Sequence, residues 1–89
     1  MKIHLEEKTY KEVEIELPFY SYYQNSEEEV FVKIEEKLFK SITFRAYGKV
    51  EFVKILNHNS IAAIWYENKC DEKTWDKGAL RGLKFSYNF

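Results

Sequence analysis

Cysteine, glycine and proline are scarce in this chain, and each shortage removes a class of protein. Cys70 stands alone, so no intramolecular disulfide forms and stability has to come from packing or self-association. One cysteine with two isolated histidines, His4 and His58, supplies no ligand pair at zinc-site spacing, so no metal is expected. Gly48, Gly78 and Gly82 match neither a phosphate loop nor a dinucleotide fingerprint, and no cofactor is expected. Pro18 is the only proline, and no Pro-, Gly- or Ser-rich linker divides the chain, so residues 1–89 read as a single globular domain.

Excess charge and long apolar runs are missing as well. Fourteen Lys+Arg face 15 Asp+Glu for a formal net charge of -1, which argues against broad contact with a phosphate backbone, and no nucleic-acid partner is expected. The balance is uneven along the chain: residues 1–45 hold 7 basic and 10 acidic side chains, net -3, while 46–89 hold 7 and 5, net +2. The longest uncharged runs, Leu17 to Ser26 and Ile55 to Tyr66, fall well short of the ~18 apolar residues of a membrane helix. The first residues turn charged too early for a signal peptide, so a cytoplasmic protein without membrane contact is expected.

What is present is apolar and aromatic: 45% hydrophobic and 18% aromatic residues are enough to offset the entropy of ordering the chain, which excludes disorder as the main state. A chain of this length buries only roughly two-thirds of its unfolded surface, so the core is small. Twelve Lys against two Arg, with many Asn, Ile, Tyr and Phe, match the output of an AT-rich coding sequence, such as that of a low-GC bacterium or its phage.

The apolar pattern is mostly that of strands. From Lys11 to Phe19, Val13, Ile15, Leu17 and Phe19 alternate with Glu12, Glu14 and Glu16, and Pro18 marks a sheet edge or bulge there. Asn25-Ser26 reads as a turn, followed by a return through Val30, Val32 and Ile34. A helix competes for the same stretch, because Ser26 and Glu29 form a capping box and Val30, Ile34, Leu38 and Ile42 lie four apart. The cluster of β-branched residues favours the strand. A further strand runs through Ile42, Phe44 and Ala46 to a turn at Tyr47-Gly48-Lys49. In Val50 to Ile55 the period slips by one, as a bulge or a strand covered on both faces would require. Ile61 to Tyr66 reads as a central strand, and residues 71–81 as a short helix capped by Asp71 and ended by Gly82. The tail alternates through Leu83, Phe85, Tyr87 and Phe89 as a closing strand. The expected fold class is α+β: about six short, mainly antiparallel strands in hairpins, with one short helix.

No catalytic set emerges. Cys70 with His58 or His4 is the only nucleophile and base on offer, and Asp71 and Glu72 disfavour its thiolate. The paired carboxylates lie in charged surroundings, whereas general-acid chemistry needs an apolar setting that raises a carboxyl pKa. The surplus is in aromatic rings, above all Phe19-Tyr20-Ser21-Tyr22-Tyr23, where one of the pairs Tyr20/Tyr22 and Phe19/Tyr23 should reach the surface. Tyr and Trp join a large apolar body to a polar tip, so they serve both at core edges and at interface hot spots. The candidate binding set is Tyr20, Tyr22, Tyr23, Tyr47 and Trp75, with Arg45 and Arg81 as anion-pairing forks.

These residues point to a small non-enzymatic protein-binding module with an unidentified protein partner. An inhibitor or adaptor encoded by a phage or mobile element, acting on a host protein by occlusion, fits that pattern. The alternative is a binder of a small anionic ligand such as a nucleotide, held by Tyr22, Tyr47, Trp75, Arg45 and Arg81. Exposed strand edges also lead to the expectation of a homodimer.

Overall fold

The alternation of apolar residues decides where each strand lies and which core it faces. The computed structural model describes residues 1–6 and 11–84. Among them the chain forms β1 Lys2–Glu6, β2 Lys11–Glu14, β3 Phe19–Gln24, β4 Glu28–Glu35, β5 Leu38–Arg45, β6 Val50–Leu56, β7 Ser60–Ala62, α1 Ala63–Glu67 and α2 Glu72–Gly82. Strands β3 to β6 make an antiparallel meander in the order β3-β4-β5-β6, and β2-β1-β7 make a second, three-stranded sheet. The expected mainly antiparallel α+β fold is observed, with one parallel pairing, β1 with β7, and a second helix, α1.

The four-stranded sheet is covered on both faces. On one, Val30, Val32, Ile34, Phe19 and Phe39 meet Ile3, Leu5, Val13, Ile15 and Ile61 of the other sheet and its flanks. Val32 and Ile34 are wholly sealed there, and each such side chain contributes roughly 1.5–3 kcal/mol of transfer free energy. On the opposite face Tyr20, Phe31 and Ile42 pack under Trp75 of α2. Two covers explain the slipped period of β6: its register with β5 runs unbroken from Phe44↔Val50 to Leu38↔Leu56, so there is no bulge. Val50 and Phe52 join the α2 layer, and Val53 the other core.

The strand reading of residues 28–35 holds, and the capping box loses to turn chemistry. Asn25 Oδ1 accepts from the amides of Glu27 at 2.8 Å and Glu28 at 2.9 Å, which fixes a hairpin instead of a helix start. The single strand expected from Lys11 to Phe19 is broken. β2 ends at Glu14, and the chain crosses through Ile15 to Pro18, where the Leu17–Pro18 bond is cis, before β3 begins in the other sheet. The alternation persists because both sheets face the same core, which Val13, Ile15, Leu17 and Phe19 all enter.

Ile61 to Tyr66 is not a central strand. Ser60–Ala62 forms a short edge strand parallel to β1, and the next five residues turn into α1, whose Ile64 and Tyr66 are exposed. A continuous apolar run has no period to separate the two structures. The end of α1 is held by buried Ser21, whose hydroxyl donates to the carbonyls of Trp65 at 2.7 Å and Asn68 at 3.1 Å. The following residues then cap the outer edge of β3: the Tyr22 amide donates to Asn68 O and the Cys70 amide to Tyr20 O, at 3.1 and 2.9 Å.

Helix α2 starts as expected, with Asp71 Oδ1 accepting from the Thr74 amide at 3.0 Å and its hydroxyl at 2.8 Å. Gly78 is needed for packing. A Cβ there would lie 2.5 Å from Phe31 Cγ, so only glycine lets the helix rest on that ring. Of the expected closing strand, Leu83 and Lys84 lie in a turn, and residues 85–89 lie outside the described residues. No described helix is long and apolar enough to cross a membrane.

Candidate functional site

The face beneath α2 carries two neighbouring cross-strand rows, Tyr22-Phe31-Ile42-Phe52 and Gln24-Glu29-Phe44-Val50. Side chains two residues apart along one such face are within reach of each other when they are long or aromatic. Tyr22 therefore reaches diagonally to Glu29, and its hydroxyl donates to Oε2 at 2.6 Å. Arg81, in the last turn of α2, comes down on the same carboxylate with Nη2 to Oε1. Its guanidinium also stacks 3.8 Å from the Phe44 ring centroid and 5.6 Å from that of Phe31.

Electrostatics follow from this geometry. Burial first, and then the bond to Glu29, push the Tyr22 phenol up to about 12, so it stays a neutral donor. Burial works to raise the Glu29 carboxyl, but Tyr22 and Arg81 outweigh it and hold it below the usual range. The cluster is thus neutral phenol, carboxylate and guanidinium. A pocket of about 260 Å³ opens beside it, lined by Tyr22, Glu29, Phe31, Thr74, Lys77 and Arg81. On the other flank of α2 a groove of about 320 Å³ is bordered by Ile42, Phe52, Trp75, Ala79, Leu80 and Leu83.

The end of the sheet nearest these rows is formed by two adjacent hairpins. Arg45 pairs with Glu28 at 2.8 Å and with Glu51 at 3.8 Å, while its amide donates to Lys49 O at 2.7 Å. The Ala46 amide donates to Glu27 O at 3.3 Å, tying the second hairpin to the first. At its tip Tyr47 has φ 65° and a fully exposed ring, at 101% of the reference area.

The candidate residues therefore fall into four places. Tyr22 and Arg81 meet at Glu29, and Arg45 and Tyr47 share the braced tip. Tyr20 and Trp75 are core residues instead, at 8% and 6% exposure, because α2 lies across the face of β3 that carries Tyr20 and Tyr22. Tyr23 points to the opposite face, half-buried and edge-on to Trp65 at 6.3 Å. Contrary to expectation, neither of the pairs Tyr20/Tyr22 and Phe19/Tyr23 reaches the surface: Phe19 and Tyr20 are buried, and Tyr22 and Tyr23 are half-buried. Sequence reasoning missed Glu29 and Lys77. The basic spacing Lys73, Lys77, Arg81, Lys84 was the available signal for the second.

Cys70 is poorly placed for nucleophilic work, since burial and the neighbouring Asp71 raise its thiol and so disfavour the thiolate. Among the described residues no three His, Cys, Asp or Glu side chains converge as a metal site would require. Comparison with known protein families, with curated proteins and with solved structures finds no match.

Proposed function

We propose that the protein is a small non-enzymatic protein-binding module whose contact surface is the two-hairpin end of the four-stranded sheet. One observation carries this reading: Tyr47 is held in the left-handed region with its ring entirely in solvent. That conformation costs roughly 1–2 kcal/mol for a residue with a Cβ, and an exposed ring offers no packing in return. Presentation of the ring is the return that fits. The bonds from Arg45 and Ala46 to the neighbouring hairpin reduce the entropy lost on binding, as a preorganised hot spot requires.

The test compares wild-type protein with Tyr47→Gly in affinity capture from a bacterial lysate with mass-spectrometric identification. The expected result is a partner retained by the wild type and lost by a variant that melts no lower. Identical captured sets from the two proteins overturn the reading.

A second reading, capture of a small anionic ligand, is favoured by Lys77 and Arg81 on one wall of the 260 Å³ pocket. A ligand that binds only the native state raises the melting temperature with concentration. Thermal-shift titration with nucleotides supports it if such a rise saturates, and a flat response removes it.

A further inference from the structure

Lys73, Lys77, Arg81 and Lys84 follow one another at intervals of four, four and three residues, so they share one exposed side of α2 and the turn after it. Like charges four apart weaken an isolated helix. The helix dipole accounts for cations in the last turn, but not for Lys73 and Lys77. Of the four, Arg81 alone holds a carboxylate within ion-pairing distance among the described residues. The acidic residues of the helix, Glu72 and Asp76, lie on a different side, towards Tyr20, and Asp71 at the N-cap acts on Lys73, so the charge left without a carboxylate nearby among the described residues is that of Lys77 and Lys84.

We infer that an acidic segment of a protein partner docks along this ridge, with one carboxylate seated between Lys77 and Arg81 in the pocket floored by Phe31. The inference rests on the protein-binding reading and adds the chemistry of the partner. Glu29 in the same wall is ionised, but its charge is offset by the Arg81 guanidinium and its second oxygen is held by Tyr22, so Lys77 supplies the net positive charge that meets the incoming group. Arg81 spends one Nη2 bond on Glu29 and keeps further N–H donors, and Lys77 adds an ammonium. The pocket, about 260 Å³, has room for a side-chain carboxylate with its methylene stem against Phe31. Leu80 and Leu83, 68% and 50% exposed, border the ridge and favour a segment in which acidic and apolar residues alternate. A long continuous phosphate backbone fits less well than a short acidic segment, since Glu27 and Glu28 stand at the neighbouring hairpin and limit the length of surface an anionic chain can follow.

The experiment titrates the full chain into a fluorescein-labelled peptide of alternating glutamate and leucine and follows anisotropy. The comparison probes are the same peptide with glutamine for glutamate and a labelled single-stranded DNA. The expected result is saturable binding of the acidic peptide that weakens with salt, and a roughly tenfold loss in Lys77→Gln. Lys77→Arg restores it, and the melting temperatures of both variants match the wild type. Absence of saturable binding, equal binding of the glutamine peptide, tighter binding of the DNA, or full binding by Lys77→Gln each overturns the inference. If lysate capture still depends on Tyr47 while the peptide fails, the reading of the hairpin stands and this inference alone falls.

Discussion

The hydroxyl of Tyr22 and the carboxylate of Glu29 meet at 2.6 Å across the β3–β4 pair, and each changes the other's titration. The phenol, raised from an ordinary value of 10 to about 12, contributes stability that is complete below pH 10 and is lost as pH rises through the folded value. Glu29, held low, contributes stability above the ordinary carboxyl range that is lost as pH falls through its folded value. Tyr22→Phe should flatten the alkaline fall in melting temperature between pH 10 and about 12. In the same variant the acid limb should move to higher pH, because Glu29 loses a donor. Melting temperature against pH, with phenolate absorbance as a second signal, checks both limbs.

Gly78→Ala should destabilise the protein although alanine is the better helix former. Helix propensity favours the change by about 1 kcal/mol. The added Cβ, 2.5 Å from Phe31 Cγ, forces the ring or the helix to move, a cost of about 1–3 kcal/mol before relaxation. A lowered melting temperature is expected, with the loss reduced in a Gly78→Ala, Phe31→Leu double variant. A four-way cycle of denaturant unfolding measures the coupling, and additive effects would count against the contact.

Ser21→Ala removes a hydroxyl that serves two carbonyls at the end of α1. Leaving a buried polar group unpaired costs about 1–3 kcal/mol. The effect should be local: faster hydrogen exchange at the amides of Tyr22 and Cys70, which bond to and from the same capping segment. Exchange mass spectrometry over residues 20–24 and 63–72 reads this, with β5 amides as the unaffected reference.

Tyr47→Gly should leave stability unchanged or raise it by up to about 1 kcal/mol, because glycine accepts φ 65° without penalty. Calorimetry checks this. A clear loss of stability would mean that the ring packs in a way the exposed tip does not provide.

The sequence disclosed the sheet because burial and alternation are local: Val30, Val32 and Ile34 needed no knowledge of what covered them. Asp71 disclosed the start of α2 for the same reason, since a cap acts over three residues. The fate of Ile61 to Tyr66 was hidden, because an apolar run fits strand and helix equally until its neighbours are known. Gly78 looked like a weak point in a helix, and its reason lies 47 positions away in Phe31. At the candidate site, the types of Tyr22, Arg45, Tyr47 and Arg81 were legible. Their grouping was not, since α2 chooses which face of the sheet it covers. That choice turned Tyr20 and Trp75 into core and brought Arg81 to Glu29.

The segment running from Asn68 to Cys70 along β3 closes one side of the four-stranded sheet, leaving β6 as its other margin among the described residues. Stacking of this sheet edge to edge is therefore self-terminating: a copy that adds along β6 has presented its one receptive border, and fibre growth needs two.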